Sequence, residues 1–233
     1  MRFIGSLLVI LVASSLLAQQ SSSAASAPTQ ASVRFSFDWA QGFPWQSYFI
    51  SVKSDGKSHF DGIPHADETN DTDAYQQDFT MSDANRQKVF DLAQKLHYFQ
   101  GDYDSHLKHI AQTGKKTLQY QSPQMNGSTT YNYSQNPEVQ QLTNLFTGIA
   151  MTIDFGRKLA FQYRYDKLGM DKQLKELEDL QADHGVEELQ IIAPMLRKIA
   201  DDANLMNISR ESARRLLLTL DQPANSAQTP ASQ

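Results

Sequence analysis

The chain of 233 residues contains no cysteine. That excludes disulfides, a thiolate nucleophile and the lipid-modified cysteine of a bacterial lipoprotein. A chain without cross-links has to stand on its hydrophobic core, and about 200 residues suffice for one or two such cores. It has no excess of positive charge either: 21 Lys and Arg face 26 Asp and Glu, a net of −5. The charge is spread evenly, with a net of −4 from Ser26 to Ile153 and −2 from Asp154 onward. Neither half is a basic patch, which argues against nucleic acid as a partner. No G-x-S-x-G occurs, and no Gly-rich phosphate loop follows a strand pattern, so nucleophilic-elbow and nucleotide chemistry lack their motifs and no cofactor is implied.

Long hydrophobic runs are absent except at the start. Arg2 precedes an apolar run from Phe3 to Leu17, and small residues follow from Ser21 to Ala27. This is the order of a secretory signal peptide, and the run is too short for a membrane-spanning helix, which takes about 20 apolar residues. Export to the periplasm or the exterior is the expectation. For an exported chain, the lack of cysteine also points to a bacterial source.

The rest of the chain is organised around the stretch from Asn136 to Gly169. Val139, Leu142, Phe146, Ile149 and Ile153 recur at steps of three and four, one apolar stripe on an α-helix. Asn136 suits the N-cap, Pro137 the first turn, and Gly169 the C-terminal stop. Such a helix is longer than a small domain is wide, so its two halves should pack on different neighbours.

Before it, Val33–Asp38 alternates apolar and polar as a half-buried strand does. Asp55-Gly56 predicts a type I′ hairpin between Tyr48–Lys53 and Ser58–Ile63. Tyr75–Met81 reads as a short strand. Ser82 caps a helix whose stripe runs from Val89 to Phe99, and a second hairpin closes around Asn126-Gly127. After Gly169 nothing resembles a strand. Helices are expected from Asp171, from Val186 with Pro194 either kinking it or ending one segment, and from a cap at Ser209. Strands and helices segregated in this way give an α+β fold, a small antiparallel sheet with helices on one face, continued by a long helix into a C-terminal helical bundle. The division is 1–25 for the signal peptide and disordered leader, 32–153 for the α+β domain, 154–221 for the bundle and 222–233 for a disordered tail.

The run from Tyr48 through Ile149 resembles uncharacterised exported bacterial domains of unknown function, with a strand ending in Asp55-Gly56, a capped helix, a hairpin and a closing helix. Lys167-Leu168-Gly169 and Ile192-Ala193-Pro194 are similar to segments of exported bacterial proteins carrying the same helical extension. The resemblance implies a fold and a compartment and brings no catalytic residues.

Three groups of residues could carry a site. Trp39, Phe43 and Trp45 crowd a loop around Gly42 and Pro44. Exposed, they would stack on a saccharide or a peptide; buried, they would plug the open end of the sheet. Asp71 and Asp73, in an acidic loop, could begin a calcium site, but the EF-hand spacing is not met. His106 and His109 lie three apart near Asp102 and Asp104, and on a helical turn they could begin a zinc site. The reading that follows is a non-catalytic binding or scaffolding module for a protein or saccharide ligand, with an oligomer left open. A metal-dependent hydrolase using His106 and His109 is the rival.

Overall fold

The computed structural model describes residues 30–39, 42–66 and 73–220. The leader, the tail and the acidic-loop residues 67–72, Asp71 among them, lie outside these. Six strands form one antiparallel sheet in the order β4-β3-β2-β1-β5-β6: β1 (Ser32–Asp38), β2 (Trp45–Lys53), β3 (Lys57–Pro64), β4 (Tyr75–Thr80), β5 (Lys115–Gln121) and β6 (Asn126–Tyr131). Alternation sorts their side chains to two faces. Val33, Phe35, Ile50, Val52, Phe60 and Leu118 are fully buried on the inner face. Helices α1 (Asp83–Lys95) and α2 (Pro137–Tyr165) supply Val89, Leu142, Phe146 and Ile149 to the same core. Phe35 stacks on Phe146 with ring centroids 5.2 Å apart. The fold is therefore α+β, with its antiparallel sheet packed on helices through that face.

Both hairpins form, but their turns differ from the expectation. In the first, only Gly56 has positive φ, at 88°, and its N–H donates to Lys53 O at 2.9 Å. A three-residue turn ending in a left-handed glycine replaces the type I′ pair, because Asp55 stays at negative φ. In the second, Asn126 and Gly127 already pair with Gln121 and Tyr120, and the turn lies at Ser122–Met125. Gly127 is needed for another reason: a Cβ there would collide with the carbonyl oxygen of Tyr98. Phe99 is fully buried, yet not as part of α1. His97, Tyr98 and Phe99 form a left-handed turn with φ of 50°, 55° and 65°, which brings the backbone against β6.

Asn136 caps α2 as expected, its side chain accepting from Val139 N at 3.0 Å. The helix has 29 residues and a length of about 44 Å. It ends at Tyr165 rather than Gly169, and Gly169 instead precedes α3 (Met170–Ala182). At Pro194 one segment ends and another begins rather than kinking: a short 3-10 turn, Leu189–Ile192, stops and Pro194 sits in the first turn of α4 (Ala193–Asp201), where a missing N–H costs nothing. Ser209 lies inside α5 (Asn207–Leu220) and is buried, so it caps nothing.

Two hydrophobic clusters meet along α2. The first ends on it with Ile153. The second begins with Phe155 and gathers Leu174, Leu177, Leu196, Ile199 and Leu216. Between them Asp154, only 2% exposed, accepts from Arg157 at 2.9 Å and Lys158 at 3.1 Å. The segment leading into α4 lies in a notch on α2 made by Gly148, Thr152 and Gly156. A Cβ on Gly148 would come within 2.8 Å of Glu187 Cγ, and one on Gly156 within 2.5 Å of Ile192 Cγ2. Thr152 Oγ1 donates to Glu187 O at 2.6 Å.

Candidate functional site

The outer face of the sheet is where polar side chains accumulate. Register aligns them in rows across the strands. One row runs Asp78, His59, Ser51, Arg34, Gln119, Ser128, and the next runs Gln76, Asp61, Phe49, Ser36, Thr117, Thr130. Ile63, Ser47, Asp38 and Lys115 form a third row. The twist of the sheet bends the rows into a trough of about 520 Å³ extending from β3 to β6. At roughly 4.8 Å between strands, that is about 19 Å of trough.

Arg34 marks its middle. Its guanidinium lies 3.6 Å above the centroid of the Phe49 ring, held by the cation–π attraction, while His59 lies beside that ring at 5.8 Å. Arg34 makes no hydrogen bond or ion pair with any described residue. Its five N–H donors are thus fixed by stacking and unspent. Around it the other polar groups pair locally. Gln76 Nε2 donates to Asp61 at 2.7 Å, His59 Nδ1 lies 2.6 Å from Asp78, and the Thr117 and Thr130 hydroxyls are 3.0 Å apart.

The aromatic loop divides. Trp45 is fully buried, with Nε1 donating to Ala150 O at 2.9 Å and its ring edge-on to Phe60 at 4.7 Å. It belongs to the core and cannot meet a ligand. Phe43 is half-buried against Tyr48, with ring centroids 5.7 Å apart. Trp39 alone projects, 78% exposed, from a backbone at φ 62°.

His106 and His109 sit at φ 51° and 64° on an exposed loop, so the helical turn that would align their rings does not form. His106 Nε2 instead lies 2.7 Å from Asp102 Oδ2, and Asp104 spends its oxygens on the N–H groups of His106 and Asn132. Among the described residues no group of three or more His, Asp or Glu is placed to hold a metal ion. Asp73 is exposed, two residues before β4. The Asp102 hydrogen bond and its charge raise the His106 pKa above 6.5, and the same bond lowers that of Asp102 below 3.8. A raised histidine stabilises fully below its ordinary pKa, and that contribution fades as pH rises through the raised value. A lowered aspartate stabilises above its ordinary pKa, and that contribution fades as pH falls through the lowered value. The pair thus contributes most between about pH 4 and 6.5. In an NMR titration His106 is expected to titrate above 6.5 and to return toward it in Asp102→Asn; an unshifted wild-type His106 would contradict the contact.

No protein-family model matches the chain, and no curated protein matches it. The site reading therefore stands on geometry alone. Sequence reasoning missed Arg34 and its row. The alternation in Val33–Asp38 already put Arg34, Ser36 and Asp38 on the outer face, but the neighbours that complete the trough come from β5 and β6, far later in the chain.

Proposed function

We propose that this chain is an exported, non-catalytic binding module whose contact surface is the outer trough of its sheet, and that the ligand is an extended polyhydroxylated molecule of the saccharide class. One observation carries the reading: a stacked guanidinium with unspent donors stands in a trough whose lining is mostly polar, with hydroxyls, an amide, Lys115 and the carboxylates Asp38 and Asp61 beside the apolar Phe49 and Ile63. Hydroxyl-rich ligands need such mixed donors and acceptors along their length. A protein partner is supported less well, because its interface would need an apolar centre. Here Phe49 and Ile63 are the apolar members, and the Phe49 ring is covered by Arg34. The mixed charge, with Arg34 and Lys115 against Asp38 and Asp61, also gives a nucleic-acid backbone no continuous positive track.

The hydrolase reading draws no support from the loop geometry at His106 and His109. The test is calorimetric titration of the mature protein with neutral and acidic oligosaccharides. Saturable binding is expected, weakened about tenfold or more in Arg34→Ala, consistent with the ~1.5–3 kcal/mol of a charge-assisted hydrogen bond. The melting point should not change, because Arg34 is exposed. Binding that is indifferent to Arg34 would remove the trough from the account.

A further inference from the structure

A second recess, of about 310 Å³, opens on the other side of the β5–β6 end, where the first turns of α2 pass over Tyr131 and Asn132. Among the described residues of its lining, Lys116 is the sole charged one. The residue is 8% exposed, and its Nζ donates to two neutral acceptors, Thr113 Oγ1 at 3.2 Å and Asn132 O at 3.0 Å. The Phe37 ring lies 4.4 Å from Nζ. No carboxylate of a described residue forms an ion pair with it, and burial lowers its pKa. An ammonium taken out of water without an anionic partner costs free energy that neutral acceptors only partly return.

We propose that this recess binds a small organic monocarboxylate, with Lys116 as its counter-charge. The acceptors beside Lys116 are already occupied. Asn132 Oδ1 takes the Thr113 N–H at 3.1 Å, the Tyr131 hydroxyl pairs with Thr143 at 2.6 Å, and Asp104, nearby, is spent on backbone N–H groups. What remains, beside the amide oxygens of Gln140 and Asn144, is donors. The third Nζ proton is unspent, the Asn144 side-chain amide bonds no described residue, and the Tyr133 hydroxyl, accepting from Gln140 at 3.3 Å, keeps its own proton. Gln140, Thr143 and Asn144 belong to the first turns of α2, the positive end of a long helix dipole. One cation with neutral donors balances a single negative charge; a phosphate dianion would leave one charge unmatched in a partly buried place. This site is independent of the trough, which lies on the opposite face of the sheet.

The test is thermal unfolding and calorimetric titration of the mature protein at constant ionic strength. Glucuronate, acetate and phosphate are the probes, and glucose is the neutral control. A saturable rise in melting point is expected with the carboxylates and none with glucose. Lys116→Gln should weaken carboxylate binding at least tenfold. Because a buried lysine is replaced there, Asn144→Asp serves as a second variant. It changes an exposed side chain, sets a negative charge at the mouth, and should weaken binding to the same degree without unfolding the protein. The proposal is overturned if neither carboxylate binds, if both variants bind like the wild type, or if phosphate binds more tightly than either carboxylate.

Discussion

Trp45→Ala is expected to cost about 3–5 kcal/mol, as truncation of a fully buried aromatic does. Trp45 is the largest side chain that is completely enclosed. It packs edge-on to Phe60, donates to the carbonyl of Ala150 on α2, and has the Arg157 guanidinium 5.7 Å from its ring. Gly62 leaves the room for it, since a Cβ there would come within 3.0 Å of Trp45 Cε3. Removing the indole opens a cavity between sheet and helix and deletes the hydrogen bond that ties β2 to the middle of α2. For a chain of this size the melting point should fall by about 6–20 °C. A fall of only about a degree or two would mean that the loop is peripheral to folding.

Glu188→Ala should be nearly as damaging, by about 3 kcal/mol, the scale seen when a buried charged partner is removed. Glu188 is 5% exposed in the segment that follows α3, and its carboxylate reaches the start of α1. There it accepts from Ser82 N at 2.8 Å, Ser82 Oγ at 2.6 Å and Asn85 Nδ2 at 2.6 Å, and it also takes the Gln190 side-chain amide. Ser82 is itself the N-cap of α1, so one carboxylate joins the helix start to the second core and meets the positive end of a helix dipole. The alanine variant would strip those part-buried donors of their acceptor. Glu188 holds this position at φ 57°, a left-handed conformation that costs a non-glycine residue about 1 kcal/mol or more. Glu188→Gly should therefore lose about 1 kcal/mol less than Glu188→Ala, because it removes the same bonds and also the strain. Chemical denaturation of the two variants measures that difference, and equal losses would show that the backbone strain is not real.

The parts of the fold legible in the sequence are those set by local periodicity. The stripe on α2, the Asn136 cap and the alternation of β1 needed nothing beyond a few neighbouring residues. Errors came where a residue's use is decided by a distant partner. Asn126-Gly127 has the composition of a hairpin turn, yet Gly127 is kept small by the left-handed turn at Tyr98. Gly169 looks like a helix stop, but α2 breaks earlier, at Asp166, whose carboxylate accepts from the Gly169 N–H at 3.1 Å. Ser209 looks like a cap and is buried inside α5.

The candidate site follows the same rule. Trp39, Phe43 and Trp45 stand together in sequence, but their shared crowding says nothing about which ring turns inward. Arg34 could be assigned to an outer face from β1 alone, and its perch on Phe49 depends on the β1–β2 register. The Glu188 contact spans 106 positions and has no local signature.

Backbone and side-chain NMR shifts recorded during titration with an oligosaccharide locate the contact surface. If it is the outer face of the sheet, the largest changes fall on the Arg34 guanidinium and on Ser36, Thr117, Gln119 and Thr130, while α3 and α5 stay unmoved. Changes centred on the α3–α5 bundle, with Arg34 and its row silent, would contradict that placement.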